Sequence, residues 1–172
     1  GKDFGLVFSP ERISEGSALA ELQRIPIVVG GIDPKSAEVA AAFWQETLGI
    51  ETVTVGSPTT AEMAKLADNQ WIDLNVALAN EIALLSDKLS IDAFEVIRAA
   101  NSLPKGQHLV NILAPSAGVG GYCLTKDPWF LHRMGIDNGL EIKTPLVSRA
   151  VNDTMPEFAF RYVRECLSQF NL

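Results

Sequence analysis

Between Gly118 and Phe130 the chain reads GVGGYCLTKDPWF. Gly118, Gly120 and Gly121 let the backbone come close to a ligand, and they lead straight to Cys123. Four residues later Asp127-Pro128 opens a helix, whose free N–H groups favour a nearby thiolate, and Lys126 adds a positive charge. Asp127 could accept a proton or cap its own helix. Two readings fit Cys123: a nucleophile carried by a permissive loop, or a small side chain filling a gap beside a tight turn. The second cysteine, Cys166, falls among Val163, Leu167 and Phe170 at helical spacing and reads as core. Lys65 and Asn69 are four residues apart on a long helical pattern, so both project from one face. Such a pair can hold an oxyanion and orient a water, or be a solvated lysine with a polar neighbour. Glu11 and Glu15 follow an apolar run, where α/β folds present ligands; the alternative is a surface turn with a capping glutamate. Trp71, Trp129 and Phe130 lie at helical spacing among aliphatic residues and read as core rather than as stacking platforms.

The elements that must position these residues follow from the pattern. Phe4 to Phe8, Ile27 to Val29 and Glu51 to Val55 read as buried strands. Asp33-Pro34 starts a helix that stops at Gly49. The resulting strand-helix-strand unit has no early GxGxxG, and no helix opens directly on Gly30-Gly31 to replace it. From Ser57-Pro58 the character changes. Thr59 and Glu62 form a capping box, and Met63, Leu66, Trp71, Leu74, Leu78, Ile82 and Leu85 mark the apolar stripe of one long helix. Ser90 caps a shorter helix ending near Pro104. Asp127-Pro128 begins a helix closed by Gly135. Thr144-Pro145 begins the last helical pattern, with Pro156 as a kink or break.

Composition narrows the function classes. With 172 residues, 47% hydrophobic and 20% charged, the chain is ordinarily globular. A net charge of -7 disfavours a nonspecific nucleic-acid surface, which needs clustered Lys and Arg. No apolar run is long enough to span a bilayer. Two cysteines outside any CxxC pair and two histidines make no zinc set, so no metal is expected and a reduced, cytoplasmic setting is.

The motifs SPER with a Glu three residues on, AEMAKLADN, GVGGYCLTKDP and SRAVNDTMP occur in this order between Ser9 and Pro156. Together they closely resemble the UDP-glucose/GDP-mannose dehydrogenase family. The resemblance implies an α/β remnant of a Rossmann-like lobe over 1–57. A mainly α-helical central dimerisation domain, 6-phosphogluconate dehydrogenase C-terminal-like, would cover 58–155, with 156–172 leading to a further nucleotide-sugar-binding lobe. It implies an enzyme that oxidises a sugar C6 alcohol to a carboxylate in two NAD-dependent steps through a cysteine thioester. Its partners would be a UDP-sugar and a second copy of the chain, with no nucleic acid and no membrane.

Carried onto matching positions, Cys123 would be the nucleophile and Lys65 would stabilise the oxyanion. Asn69 and Asp127 would hold the water and assist proton transfer, and Glu11 would support thioester hydrolysis. Glu15 and Lys126 match cofactor-touching positions. Arg12, Tyr122 and the loop Ala114, Pro115, Ser116, Ala117, Gly118, Val119 and Gly120 match the segments along the nucleotide sugar. Arg12 and AVNDTMP resemble the UDP-N-acetylhexosamine branch, whereas Thr125-Lys126 is closer to the glucose and GDP-mannose enzymes. Tyr122 departs from both the His and the Ser usual before the cysteine. The resemblance leans to UDP-ManNAc or UDP-GlcNAc, with UDP-glucose as the alternative. The GxGxxG lobe and a catalytic threonine lie outside the sequence, so the chain alone is expected to turn over poorly. A non-catalytic dimerisation module is the rival reading. A hydroxy-acid dehydrogenase is disfavoured, because it has no need of a nucleophilic cysteine.

Overall fold

The structure, a computed structural model, describes residues 4–14, 16–119 and 121–170. Gly1–Ala67 and Asp68–Leu172 form two compact units. In the first, β2 (Ile27–Gly31) is the central strand. It pairs antiparallel with β1 (Val7–Phe8) and parallel with β3 (Thr52–Val55), Ile27 opposite Thr52. A parallel pair needs a crossover, supplied by α2 (Pro34–Ala42) and a π-helical turn, Phe43–Thr47. The Asp33 carboxylate accepts the Ser36 N–H at 2.8 Å and caps α2, and Gly49 leaves the helical turn at φ +67°. A short α1 (Ala18–Leu22) precedes β2. The first strand is shorter than the Phe4 to Phe8 expected, because only Val7 and Phe8 have partners in the β2 ladder. Gly30 and Gly31 serve packing. A side chain at Gly30 would strike the Ser57 carbonyl and Ala61, and one at Gly31 the backbone of Asp33 and Ala37.

The helix α3 (Pro58–Leu89) runs unbroken for 32 residues, long enough to serve as a spine. Its start corrects the expected capping box. The Ser57 hydroxyl, not Thr59, accepts a helix N–H, that of Thr60 at 3.1 Å, because Pro58 at the first helical position makes the residue before it the cap. Ser57→Ala should therefore cost about 1 kcal/mol in urea unfolding, and Thr59→Ala less than about 0.5 kcal/mol. At its other end Ser90 terminates α3 instead of starting the next helix. It adopts φ +55°, and Ile91 N–H donates to Ser86 O at 3.0 Å, the bond of a left-handed helix stop. The cap of α4 (Ala93–Ala100) is Asp92, which accepts the Phe94 N–H.

A hairpin of β4 (Pro104–Lys105) and β5 (His108–Leu109), unforeseen in the pattern, turns through Gly106 at φ +61°. Then come α5 (Gly121–Leu124), α6 (Asp127–Asp137), α7 (Thr144–Asn152) and α8 (Met155–Gln169). Pro156 lies in the first turn of α8, after the break expected there. Gly135 does not close α6. It is buried inside the helix, where a Cβ would collide with Ile142, and the stop is Gly139 at φ +71°.

The faces of α3 are reversed from expectation. Trp71, Leu74, Leu78 and Leu85 are exposed, Leu78 by 47% and Leu85 by 60%. The buried face carries Asn69, Gln70, Asp73, Val76, Ala77, Ala79 and Asn80. Small and polar side chains let the following segments approach the helix axis, and the large aliphatic ones point out. Trp129 and Phe130 are likewise exposed, and Cys166 sits half-buried beside exposed Val163, Leu167 and Phe170. The periodicity correctly marked one face of each helix, but periodicity alone does not say what covers it.

Candidate active site

The second unit is organised around hydrogen bonds from the buried face of α3. Asn69 Nδ2 donates to Asp127 Oδ2 at 2.6 Å, and both residues are buried. Because a carboxylate only accepts, this bond fixes the Asn69 amide with its oxygen directed away from Asp127. Asp127 Oδ1 lies 3.7 Å from Lys126 Nζ, so both carboxylate oxygens are engaged. The Lys126 ammonium also sits 5.2 Å from the Phe130 ring centroid. Asp127 does not cap its helix; it stands in the first turn of α6. Its negative charge there lies where the field of the helix end favours an anion.

Cys123 is exposed on α5, two residues after Gly121 at φ +75°. The Cys123 carbonyl accepts the Lys126 N–H at 3.1 Å, which joins α5 to α6. Tyr122, beside Cys123, faces solvent at 91% exposure. Lys65 lies one turn before Asn69 on the continuous α3, so the expected four-residue spacing is realised. In the first unit, Glu11 is exposed and its carboxylate accepts the N–H of Ile13, while Arg12 Nη2 donates to Pro26 O at 2.6 Å. Glu21, on α1, accepts from the Ser17 hydroxyl at 2.6 Å and from the Ser14 N–H at 2.5 Å. These bonds, the Ser17 hydroxyl first, hold its carboxyl below the usual glutamate range. Glu15 and Gly120 lie outside the described residues.

The sequence reading missed the residues that hold the 111–118 segment. Asn75 Nδ2 donates to Asn111 O and its Oδ1 accepts the Leu113 N–H, each at 2.8 Å. Asn101, the C-cap of α4, grips Ile112 in the same two-sided way, at 2.8 and 2.7 Å. Asn80 Oδ1 accepts the Ser116 N–H at 2.8 Å. An Asn side chain carries one acceptor and two donors, so it can satisfy both groups of an extended peptide as a neighbouring strand would. Ser116 Oγ donates to Gly118 O at 2.7 Å. Ala114, Ser116, Ala117 and Gly118 are exposed, Pro115 is half-buried and Val119 is buried. The segment thus presents one face outward on a fixed backbone. Asn69, Asp73 and Asn80 recur at helical spacing on one face of α3, and that polar stripe was the available signal.

Among the described residues no group of three or more His, Cys, Asp or Glu could hold a metal, and no helix is long and apolar enough to cross a membrane. A dinucleotide cofactor needs backbone N–H groups that approach its phosphates closely. At Gly30 and Gly31, the glycine pair of the first unit, a side chain would meet Ser57 and Ala61 or Asp33 and Ala37, so their lack of a Cβ is used for packing.

Residues 59–154 match the UDP-glucose/GDP-mannose dehydrogenase family, central domain. The UDP-N-acetyl-D-mannosamine dehydrogenase of Methanocaldococcus jannaschii is 38% identical over 160 residues, covering 93% of this chain and 35% of that protein. The NDP-N-acetyl-D-galactosaminuronic acid dehydrogenase of Ralstonia nicotianae is 34% identical over 168 residues, or 98% of the chain and 38% of the relative. Among solved structures, a UDP-D-ManNAc dehydrogenase from Pyrococcus horikoshii superposes with a TM-score of 0.84 at 34% identity, covering 99% of this chain and 39% of that one. The chain thus spans little more than a third of the length of these relatives. Similarity extends over both the strand-helix-strand portion and the helical portion. The chain belongs to the UDP-glucose/GDP-mannose dehydrogenase family.

Proposed function

We propose that this chain is the central part of a nucleotide-sugar 6-dehydrogenase that oxidises the C6 alcohol of a UDP-N-acetylhexosamine to a uronate. The observation that carries the reading is the buried Asn69–Asp127 hydrogen bond of 2.6 Å, with Asp127 four residues beyond an exposed Cys123. NAD, when bound, accepts a hydride in each of the two oxidations. The chain's own residues do the rest. The Cys123 thiolate adds to the aldehyde carbon and forms a thiohemiacetal, whose oxidation leaves a thioester. Water attacks that carbonyl, the carbon–sulfur bond breaks, and the products are carboxylate and free thiol. Asn69, its amide oriented by Asp127, accepts a hydrogen bond from the water. Lys65, the residue one turn earlier on α3, stabilises the oxyanion. Glu11 assists hydrolysis, Glu15 and Lys126 touch the cofactor, and Arg12, Tyr122 and 114–120 line the sugar nucleotide. These roles rest on family resemblance. The N-acetylhexosamine preference is supported by the relatives named for UDP-N-acetyl-D-mannosamine and NDP-N-acetyl-D-galactosaminuronic acid, with UDP-glucose as the alternative. A cytoplasmic location goes with that chemistry.

The test is NADH formed per sugar consumed by the chain extended to family length, offered UDP-ManNAc, UDP-GlcNAc and UDP-glucose. Two NADH per sugar with a uronate product is the expected result. One NADH per sugar would remove the role given to Cys123.

A homodimer is part of the proposal, and one observation favours it: the exposed aliphatic stripe Leu74, Leu78 and Leu85 on α3. A contiguous apolar face of this kind is stable in water when another surface covers it. Sedimentation should give twice the chain mass. Leu78→Glu with Leu85→Glu should return a folded monomer, because a charge in an apolar interface costs several kcal/mol. A wild-type monomer at micromolar concentration would exclude the dimer.

A further inference from the structure

We propose that Asp73 is the anchor of a hydrogen-bond relay that fixes both ends of the segment presenting Cys123, making Asp73, Arg149, Asn152 and Asn80 positioning residues. The proposal rests on the reading that Cys123 is the nucleophile, and its geometry is independent of any ligand. Asp73 is fully buried on α3. Its Oδ1 accepts from Arg149 Nη1 at 2.7 Å and from Asn152 Nδ2 at 2.9 Å. From there one arm runs outward. With its Nδ2 committed to a carboxylate, Asn152 must turn its oxygen to Asn80, whose Nδ2 donates to it at 2.9 Å. Asn80 must then turn its own oxygen the other way, where it accepts the Ser116 N–H at 2.8 Å. Each amide has a single orientation because the relay begins at a group that can only accept. The Asp73 backbone carbonyl accepts the same Asn152 Nδ2 at 2.9 Å, so residue 73 imposes that polarity through carboxylate and backbone together.

The second arm is Arg149. It is 4% exposed, and Nη1 also reaches the Leu124 carbonyl at 3.4 Å, one residue after Cys123. Its Nη2 donates to Asp153. That reach to Leu124 is long for a hydrogen bond and adds little energy by itself. Its importance lies in its place, because it ties the far side of the cysteine loop to the carboxylate at the root of the Asn152–Asn80–Ser116 arm. A nucleophile displaced by about 1 Å loses on the order of a hundredfold in rate, so a loop rich in glycine needs such ties.

The decisive variant is Arg149→Lys, in the whole chain. An ammonium still neutralises Asp73, but it lacks the planar fork that also serves Leu124 and Asp153. A merely structural ion pair would be rescued by lysine; a positioning role would not. The expected result is a melting temperature within about 4 °C of wild type, with amide exchange over 121–126 about tenfold faster. Iodoacetamide labelling of Cys123 changes severalfold while that of Cys166 does not. Asp73→Asn should extend the faster exchange to Ser116, leaving α4 protected. Wild-type exchange and labelling in Arg149→Lys would overturn the proposal, as would a uniform rise that includes α4. Should Asp73→Asn not fold, Asn80→Ala decides: unchanged protection at Ser116 overturns the relay. If wild-type Cys123 labels no faster than Cys166, the thioester reading fails, and hydrogen exchange still tests the relay.

Discussion

Under the proposed mechanism, serine at position 123 should lower uronate formation by at least about 10³-fold in the chain extended to family length, the loss expected when a covalent nucleophile is removed. Sulfur is the stronger nucleophile and the better leaving group from the acyl intermediate, and an alcohol replaces neither property. The effect should fall on turnover and not on binding, because in the proposed mechanism Cys123 bonds to the sugar only after the first oxidation; the KM for the sugar nucleotide should move less than about threefold. Cys166→Ser is the control. It lies half-buried on α8, remote in sequence from the 111–127 segment, and should retain near-wild-type turnover. Steady-state rates with product identified by mass spectrometry check both variants. A Cys123→Ser enzyme within tenfold of wild type, or equal losses in both variants, would exclude a thioester at position 123.

Much of this architecture was legible before any coordinates. Pro and Gly punctuate the chain at the element boundaries, and Asp33-Pro34 and Gly49 bound the crossover helix as read. The absence of helix breakers over thirty residues announced α3. What misled was the assignment of faces. Leu74, Leu78 and Leu85 carry the strongest apolar periodicity of α3, yet they are exposed, and the buried face is built from Asn, Asp, Gln and Ala. A pattern of polarity reports which face is apolar, not what lies against it, and a buried polar face looks like a solvent face until its partners are known. The local caps failed for a similar reason. Ser57, Thr59 and Ser90 are all competent by type, and only the backbone conformation decides among them. For the site, Asn69 and Asp127 were singled out as chemical groups, and their direct hydrogen bond spans 58 positions in sequence. The relay through Asp73, Asn152 and Asn80 spans more than 70. No local motif encodes a bond of that length.

Removing the Asp73 carboxylate should destabilise the chain by about 3–5 kcal/mol, the usual cost of leaving one member of a buried ion pair behind. The comparison that makes this sharp is internal. Arg149–Asp73 and Arg133–Asp137 have the same N–O distance, 2.7 Å. Their side chains are 5% and 0% exposed in the first pair, against 70% and 51% in the second. Equal distance gives unequal energy because water screens one pair and is excluded from the other. Asp137→Ala should cost less than about 1 kcal/mol. Asp73→Ala leaves the Arg149 guanidinium with Asp153, which stands mostly in solvent, and takes one of two acceptors from Asn152. Against a total stability of about 5–15 kcal/mol, this is enough to shift the urea midpoint by more than about 1 M. The double variant Asp73→Leu with Arg149→Met should recover part of the loss, since it removes the charge left unpaired as well as its partner. Circular dichroism in urea measures all three. Similar costs for Asp73→Ala and Asp137→Ala would mean that the charge on Arg149 is solvated by other means, and the spine of α3 would then owe its stability to packing alone.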